Sequence, residues 1–442
     1  MKQLDKKFLL FGIGYFCLFC AYTTAQVIKE SIFAHTVGLG YINYARLVSI
    51  GVLIPFVLFY NLLVDRMKKV SLVALVFVSY ASLQLLCSLF LTHATIGIAN
   101  TQHDVWRLFG WAFFFLIECL APFTLSVFWA YLNSTTGPEQ AKRNYGLISS
   151  FGSLGGIVSA GSAWCYLSHQ LNATAAQTAY MHQLLSFGSA TLMLITAFIV
   201  FYLRHETPER LLQSYATRID PASAQKKGHS LFHGARILLN TPYVFGIFAM
   251  VFLYETTSMI IVFLKLKAVK SVATNLCEIT ALLFKVTLIT QLTGFFFALI
   301  GTRALMRLFG ERFCLLLIPT CISAAFGFML FDHFSFISVV VGFVIIRALN
   351  YSFIRPVKEA LYIPTSVDVR YKAKSWIDTI GTKLAKGTGS ACNIAIGSLS
   401  GSPLLLGFFA LFATISGGWF VVASFLGNAY QKTIKGKSIV GS

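Results

Sequence analysis

The chain has 442 residues, of which 57% are hydrophobic and 12% charged. Because charged residues make up about 25% of an average soluble domain, this composition excludes an ordinary soluble protein and indicates a polytopic membrane protein. The net charge of +19 does not indicate nucleic-acid binding, since the cations lie in short loops between apolar segments and not on one soluble patch. We therefore expect no nucleic-acid partner.

Apolar runs of about 18 to 25 residues predict about twelve transmembrane helices, which makes the fold class an all-α polytopic membrane protein. The first run begins near Phe8 and is long enough to remain as a span, so we expect no cleaved signal. The predicted spans are residues 8–28, 41–64, 70–92, 108–132, 144–167, 181–203, 243–264, 280–302, 313–331, 336–354, 376–398 and 403–427.

The longest polar stretch, residues 204–242, divides the predicted spans six and six. This division predicts two six-helix halves, residues 1–203 and 243–442, joined by a cytoplasmic central loop. A charged turn follows the second span at residues 65–69, and another follows the eighth span at residues 307–312. Turns repeated six helices apart resemble the major facilitator architecture, in which two halves rock around a midplane site.

The lysines and arginines of the short loops predict the orientation of the chain. They are concentrated at the amino terminus, after the second, fourth, sixth and eighth spans, and in the carboxyl-terminal tail. We therefore expect a multi-pass protein of a bacterial inner membrane with both termini in the cytoplasm. Three lysines after the seventh predicted span depart from this bias, namely Lys265, Lys267 and Lys270.

Several ionisable residues stand inside or next to apolar spans, where a charge costs at least about 2.5 to 3.5 kcal/mol and usually faces a cavity or a partner. Lys29 and Glu30 end the first span, Glu118 lies in the fourth, and Glu255 lies in the seventh. Lys29 and Glu30 could instead reach the interface, and Glu118 could instead be a protonated structural residue. Arg46 begins the second span and is expected to be an interface anchor.

Further cations lie late in the chain, where Arg347 in the tenth span is followed by Arg355 and Lys358. Arginine presents a fork that suits phosphate, and lysine is a mobile point charge. With Lys29, these side chains suit a polyanion, and with Glu255 they are the candidate substrate-binding residues. The candidates for gating or proton coupling are Glu30, Glu118 and Glu359.

Nothing in the sequence resembles a hydrolase triad, a metal cluster or a P-loop, so we expect neither an enzyme nor a bound cofactor or metal. The glycine-rich tracts at residues 152–156 and 387–390 have no strand before them, which favours close helix packing over phosphate binding. Cys17 and Cys20 form a C-x-x-C pair without further ligands, which favours packing over a metal or redox role.

The segment that begins at Asn350 carries a family resemblance. Its matching residues are Tyr351, Ser352, Phe353, Pro356, Lys358, Glu359, Tyr362, Ile363, Pro364, Lys372, Lys374, Ile377, Asp378, Gly381 and Lys386. Together with Phe128-Trp129 and residues 141–145 in the first half, they resemble the ATP:ADP antiporter family, the nucleotide transporters of obligate intracellular bacteria and plastids. The resemblance implies that Lys29, Glu255 and Lys358 are substrate residues.

Three positions depart from the pattern of that family. Ser134 stands where the family has a carboxylate, Arg355 stands in place of an aspartate before proline, and Met259 stands where a lysine follows the glutamate of the seventh helix. The loss of a carboxylate and the gain of an arginine leave open a substrate other than ATP and ADP, such as another nucleotide or a different phosphorylated anion.

The sequence therefore predicts a carrier that exchanges nucleotides of the ATP/ADP type, or a related phosphorylated organic anion, by alternating access. In this hypothesis Glu118 and Glu255 pair with the candidate cations when the site is empty. Proton-coupled symport, with Glu118 or Glu255 as the proton carrier, remains an alternative. A non-transporting membrane receptor is another, although the buried charges speak against it. We expect the carrier to be a monomer.

Overall fold

The computed structural model describes residues 2–67, 69–136, 138–206, 231–300, 302–366, 369, 373–436 and 440. Almost all of the described residues are helical, which confirms the all-α prediction. The one β-bridge among them joins Thr365 to Val440. Residues 207–230 of the predicted central loop lie outside the described part of the chain.

The first part of the chain forms six long helices that follow the apolar runs of the sequence. A helix that is apolar on every side is buried in protein or lipid, and long apolar runs of this kind favour that arrangement here. The helices are α1 (Lys2–Phe33), α2 (Ile42–Arg66), α3 (Lys69–Leu89), α4 (Leu108–Ser134), α5 (Pro138–Ser168) and α6 (Ala175–Glu206).

The second part begins with the short helix α7 and continues with long and short helices, some of which are joined by π-helical turns. The helices are α7 (Leu231–Asn240), α8 (Pro242–Val272), α9 (Leu276–Ile300), α10 (Thr302–Phe331), α11 (Phe336–Leu349), α12 (Arg355–Leu361), α13 (Lys374–Trp376), α14 (Thr382–Gly397) and α15 (Ser402–Lys435). The π-helical turn Asn350–Ile354 joins α11 to α12, and Ile377–Gly381 joins α13 to α14. Gly310 breaks α10 with a φ of 74°, a conformation that glycine adopts without strain.

Two of the differences between the helix ends and the predicted spans concern candidate or exceptional cations. Helix α8 continues to Val272, so the three lysines assigned to a loop lie on the helix. Lys265 is buried, and its ammonium lies over the Phe343 ring at 4.9 Å from the centroid. In the tenth span the helical path runs on from α11 through the π-helical turn into α12, which ends at Leu361.

Eight of the described helices are long and apolar enough to cross a membrane, and the shorter helix α11 is also apolar. This agrees with a polytopic membrane protein. The count of twelve spans stays a prediction.

The chain divides into two compact units. Unit 1 comprises Met1–Lys227 and Ala273–Leu288, and unit 2 comprises Gly228–Val272 and Ile289–Ser442. In unit 1, helix α1 packs against α4, α5 and α6, and in unit 2, helix α8 packs against α11, α14 and α15. The first long helix of each unit is therefore its central helix. The two six-helix halves predicted from the sequence stay a prediction.

Glycines let the central helix of each unit approach a neighbour closely. A Cβ atom on Gly155 of α5 would lie 2.5 Å from the Phe16 carbonyl oxygen of α1, and one on Gly389 of α14 would lie 2.7 Å from the Thr256 carbonyl oxygen of α8. Real Cβ atoms do not approach so closely, so glycine is required at both contacts. Small residues at helix interfaces are typical of membrane proteins.

Candidate functional site

Lys29 is a buried cation on the central helix of unit 1. The residue is 3% exposed, and its ammonium donates to the Glu118 carboxylate of α4 at 2.5 Å. It also donates to the Gln26 side-chain oxygen one turn earlier at 2.5 Å and lies over the Phe114 ring at 5.1 Å from the centroid. The charge of Lys29 is therefore compensated by Glu118, which is the arrangement that a charge in an apolar bundle needs.

A second ion pair lies next to Lys29 in sequence. Glu30 accepts a hydrogen bond from one terminal nitrogen of Arg46 at 3.1 Å. Arg46 is 8% exposed, and its other terminal nitrogen is buried with no hydrogen-bond partner among the described residues. The sequence predicts that Arg46 is an interface anchor and does not predict its contact with Glu30. Its position at the start of α2, after a short turn from α1, was the signal that could have suggested the contact.

Glu255 lies on α8, the central helix of unit 2. Its carboxylate lies 3.8 Å from the Lys386 ammonium of α14, which is too long for a hydrogen bond. The neighbouring Thr256 hydroxyl donates to the Ala385 carbonyl oxygen at 3.1 Å, so it holds the two helices together. Glu255 therefore pairs with Lys386, which was not among the candidate substrate cations.

Lys358 and Glu359 are adjacent in α12 and form separate ion pairs. The Lys358 ammonium donates to Asp378 at 3.0 Å, and Glu359 accepts from Lys374 at 2.6 Å. Burial, and then the Asp378 and Glu359 carboxylates, raise the pKa of the nearby Tyr362 hydroxyl.

The two late arginines differ in exposure. Arg347 on α11 is half-buried, and its guanidinium lies 5.6 Å from the Phe343 ring centroid. Arg355 begins α12 and is exposed. The π-helical turn between them changes the register, so Arg347 and Arg355 do not follow the spacing of a continuous α-helix.

The described residues contain no group of three His, Cys, Asp or Glu side chains that could hold a metal ion. The nine cysteines are free, and the Cys20 thiol donates to the Gly155 carbonyl oxygen at 3.1 Å.

A model of the family described as TLC ATP/ADP transporter matches residues 2–430. The chain belongs to this family. The match confirms the family resemblance that the sequence motifs indicated.

Two curated relatives come from Rickettsia. The chain is 22% identical over 298 residues to "ADP,ATP carrier protein 3" of Rickettsia typhi, which covers 60% of this chain and 58% of that protein. It is 24% identical over 493 residues to "ADP,ATP carrier protein 4" of Rickettsia conorii, which covers 97% of this chain and 93% of that protein. The first of these matches thus spans less than two thirds of the relative's length.

Solved structures of transporters share the fold. A point mutant of the nucleoside transporter NupG is 13% identical with a TM-score of 0.62, over 97% of this chain and 99% of that chain. A D-xylose-proton symporter is 12% identical with a TM-score of 0.62, over 95% and 96% of the two chains. These similarities confirm the transporter-like fold predicted from the sequence.

Proposed function

We propose that the chain is a membrane carrier that exchanges nucleotides, or a related phosphorylated organic anion, by alternating access. The observation that carries the proposal is Lys29, an ammonium group that is 3% exposed on the central helix of unit 1 in a member of a family of ATP/ADP transporters. Burying a cation at that depth costs free energy, and the binding of substrate phosphate accounts for the presence of this cation. The names of the Rickettsia carriers support the same substrate class.

Each candidate residue has a proposed role. The ion pairs Lys29–Glu118 and Glu255–Lys386 keep the empty carrier in one conformation. Substrate phosphates compete with the two carboxylates for the two lysines. Because an empty carrier with both pairs closed is reluctant to reorient, exchange is favoured over net flux. The proposed substrate-binding residues are Lys29, Glu255, Arg347, Arg355, Lys358 and Lys386, and the proposed gating residues are Glu30, Glu118 and Glu359.

We further propose that the carrier lies in a bacterial inner membrane with both termini in the cytoplasm and acts as a monomer. The lysine and arginine bias of its loops supports this orientation. Arg355 in place of an acidic residue adds one positive charge beside Lys358, which supports a highly charged substrate.

The deciding experiment is counterflow. The purified protein is reconstituted into liposomes loaded with ADP, and uptake of labelled ATP is measured with and without the internal ADP. We expect uptake to need internal nucleotide and to persist when a protonophore dissipates the proton gradient. A collapse with the protonophore would support proton symport instead.

The matched variants are Lys29→Gln and Lys435→Gln. Lys435 is exposed in the last turn of α15, so its loss should leave uptake unchanged, whereas loss of Lys29 should abolish it. The absence of saturable uptake of ATP, of other nucleotides and of phosphorylated metabolites would refute the carrier function.

A further inference from the structure

One face of α1 is open in an otherwise buried stretch of the helix. Between Cys17 and Phe33, the partly exposed residues are Phe19, Tyr22, Gln26 and Glu30. Their spacing of three, four and four residues places them on one helical face. We refer to these four residues as the open face of α1.

The open face is aromatic at one end and charged at the other. The Phe19 and Tyr22 rings lie 6.0 Å apart between centroids, with planes inclined at 39°. Gln26 and Glu30 follow, and Gln26 accepts a hydrogen bond from the buried Lys29. A small molecule lying along this face would therefore meet two aromatic rings and then the Gln26 and Glu30 side chains, next to which the Lys29 ammonium is buried against Glu118.

Further aromatic rings pack next to the aromatic end of the open face. Tyr15 lies one turn before Phe19, with ring centroids 5.9 Å apart. Tyr15 is itself fixed by Phe128 and Trp129 of α4, whose ring centroids both lie 5.3 Å from that of Tyr15. Tyr15 and Phe128 are buried. Because rings packed in this way lose little freedom on binding a ligand, Phe19 is part of a preorganised surface.

The distance between the two ends suits a nucleotide. Lys29 follows Tyr22 by seven positions, which corresponds to about 10 Å along a helix with a rise of 1.5 Å per residue. The two positions also lie within about 20° of one another around the helix axis. The groups of an extended nucleotide match this order, because a flat aromatic base lies at one end of the molecule and the phosphates lie at the other.

We propose that Phe19 and Tyr22 form a subsite for the base of a nucleotide substrate, whose phosphates are held at Lys29. This inference rests on the proposed carrier function and narrows its substrate class to molecules with an aromatic base. Stacking is available to every base because each has a π face. The subsite therefore accepts several bases and discriminates against base-free phosphates.

The test is a binding experiment on the purified full chain in detergent, with ADP and inorganic tripolyphosphate as the two probes. Wild type should bind ADP more tightly than tripolyphosphate. Phe19→Leu and Tyr22→Leu should weaken ADP binding about 5- to 150-fold, the range expected for loss of one stacking partner. Neither variant should change tripolyphosphate binding, whereas Lys29→Gln should weaken the binding of both probes.

Two controls separate stacking from damage to the fold. Tyr22→Phe keeps the ring and should keep ADP binding close to wild type. Phe198→Leu removes an aromatic ring from an exposed position of α6 and should change neither probe.

Three results would overturn the subsite. In the first, wild type binds tripolyphosphate as tightly as ADP, which would be consistent with an anion carrier but would refute the base subsite. In the second, Phe19→Leu and Tyr22→Leu weaken both probes equally. In the third, neither probe binds and no phosphorylated anion is exchanged, which would refute the carrier function together with the subsite.

Discussion

Removal of Glu118 should destabilise unit 1 because it leaves the Lys29 ammonium buried without its counter-ion. Breaking a fully buried pair by removing one partner costs about 3 to 5 kcal/mol. Here the Glu118 side chain is 23% exposed, and Gln26 remains as an acceptor for the ammonium. We therefore expect Glu118→Gln to cost about 2 to 3 kcal/mol, below the fully buried range.

The cost should appear in thermal unfolding of the purified protein, followed by intrinsic tryptophan fluorescence. With a shift of about 2 to 4 °C per kcal/mol for a unit of 150 to 250 residues, Glu118→Gln should lower the Tm by about 4 to 12 °C. Lys29→Met should cost less, because the partly exposed carboxylate that remains can be hydrated. The double variant should lose much less than the sum of the two single losses, since it buries no unpaired charge.

Additive losses in this double-mutant cycle would refute the reasoning, because they would mean that Lys29 and Glu118 do not interact in the folded protein. A Tm of Glu118→Gln within about 1 °C of wild type would refute it as well, since that shift corresponds to less than about 0.5 kcal/mol.

Three further predictions use the same unfolding measurement. Gly389→Val should cost about 1 to 3 kcal/mol, because the added Cβ would meet the Thr256 carbonyl oxygen and force α14 away from α8; an unchanged Tm would contradict the close contact. Ser335→Ala should cost about 1 kcal/mol by removing the N-cap of α11, and Ser335→Asn should lose less. Glu359→Gln should cost less than about 1 kcal/mol, because Glu359 is 55% exposed in its pair with Lys374; a larger loss would mean that this pair is buried.

The sequence predicted the helices because long apolar runs are a local signal, but it did not predict all of their ends. Lys265 was assigned to a loop on its charge alone. Helix α8 continues past it to Val272, and the Lys265 ammonium lies over the Phe343 ring, 78 positions away in the chain. A contact between distant segments of this kind leaves no trace in the local pattern.

The sequence also did not predict which residues pair with one another in the candidate site. Buried charge indicated that Lys29, Glu118 and Glu255 need partners, but it did not indicate which partners. Glu118 is 89 positions from Lys29, and Glu255 pairs with Lys386 of the segment that carried the family motif. Charge type and depth are properties of one residue, whereas pairing depends on how α1 meets α4 and how α8 meets α14.

The Glu255–Lys386 pair should behave differently from the Lys29–Glu118 pair because it is looser and more exposed. Its atoms lie 3.8 Å apart, and the Lys386 and Glu255 side chains are 41% and 21% exposed. Pairs exposed to water contribute at most about 1 kcal/mol, so Lys386→Gln should leave the Tm nearly unchanged.

If Lys386 attracts substrate phosphate, the same variant should raise the KM for nucleotide exchange in proteoliposomes. The KM of wild type should also rise with ionic strength, because salt screens accessible charges, and this rise should be smaller in Lys386→Gln. Lys435→Gln, with the same chemical change at an exposed position of α15, should match wild type in both respects. An unchanged KM together with a large fall in Tm would mean that Lys386 holds unit 2 together, and that the phosphate-binding cations of this unit lie elsewhere.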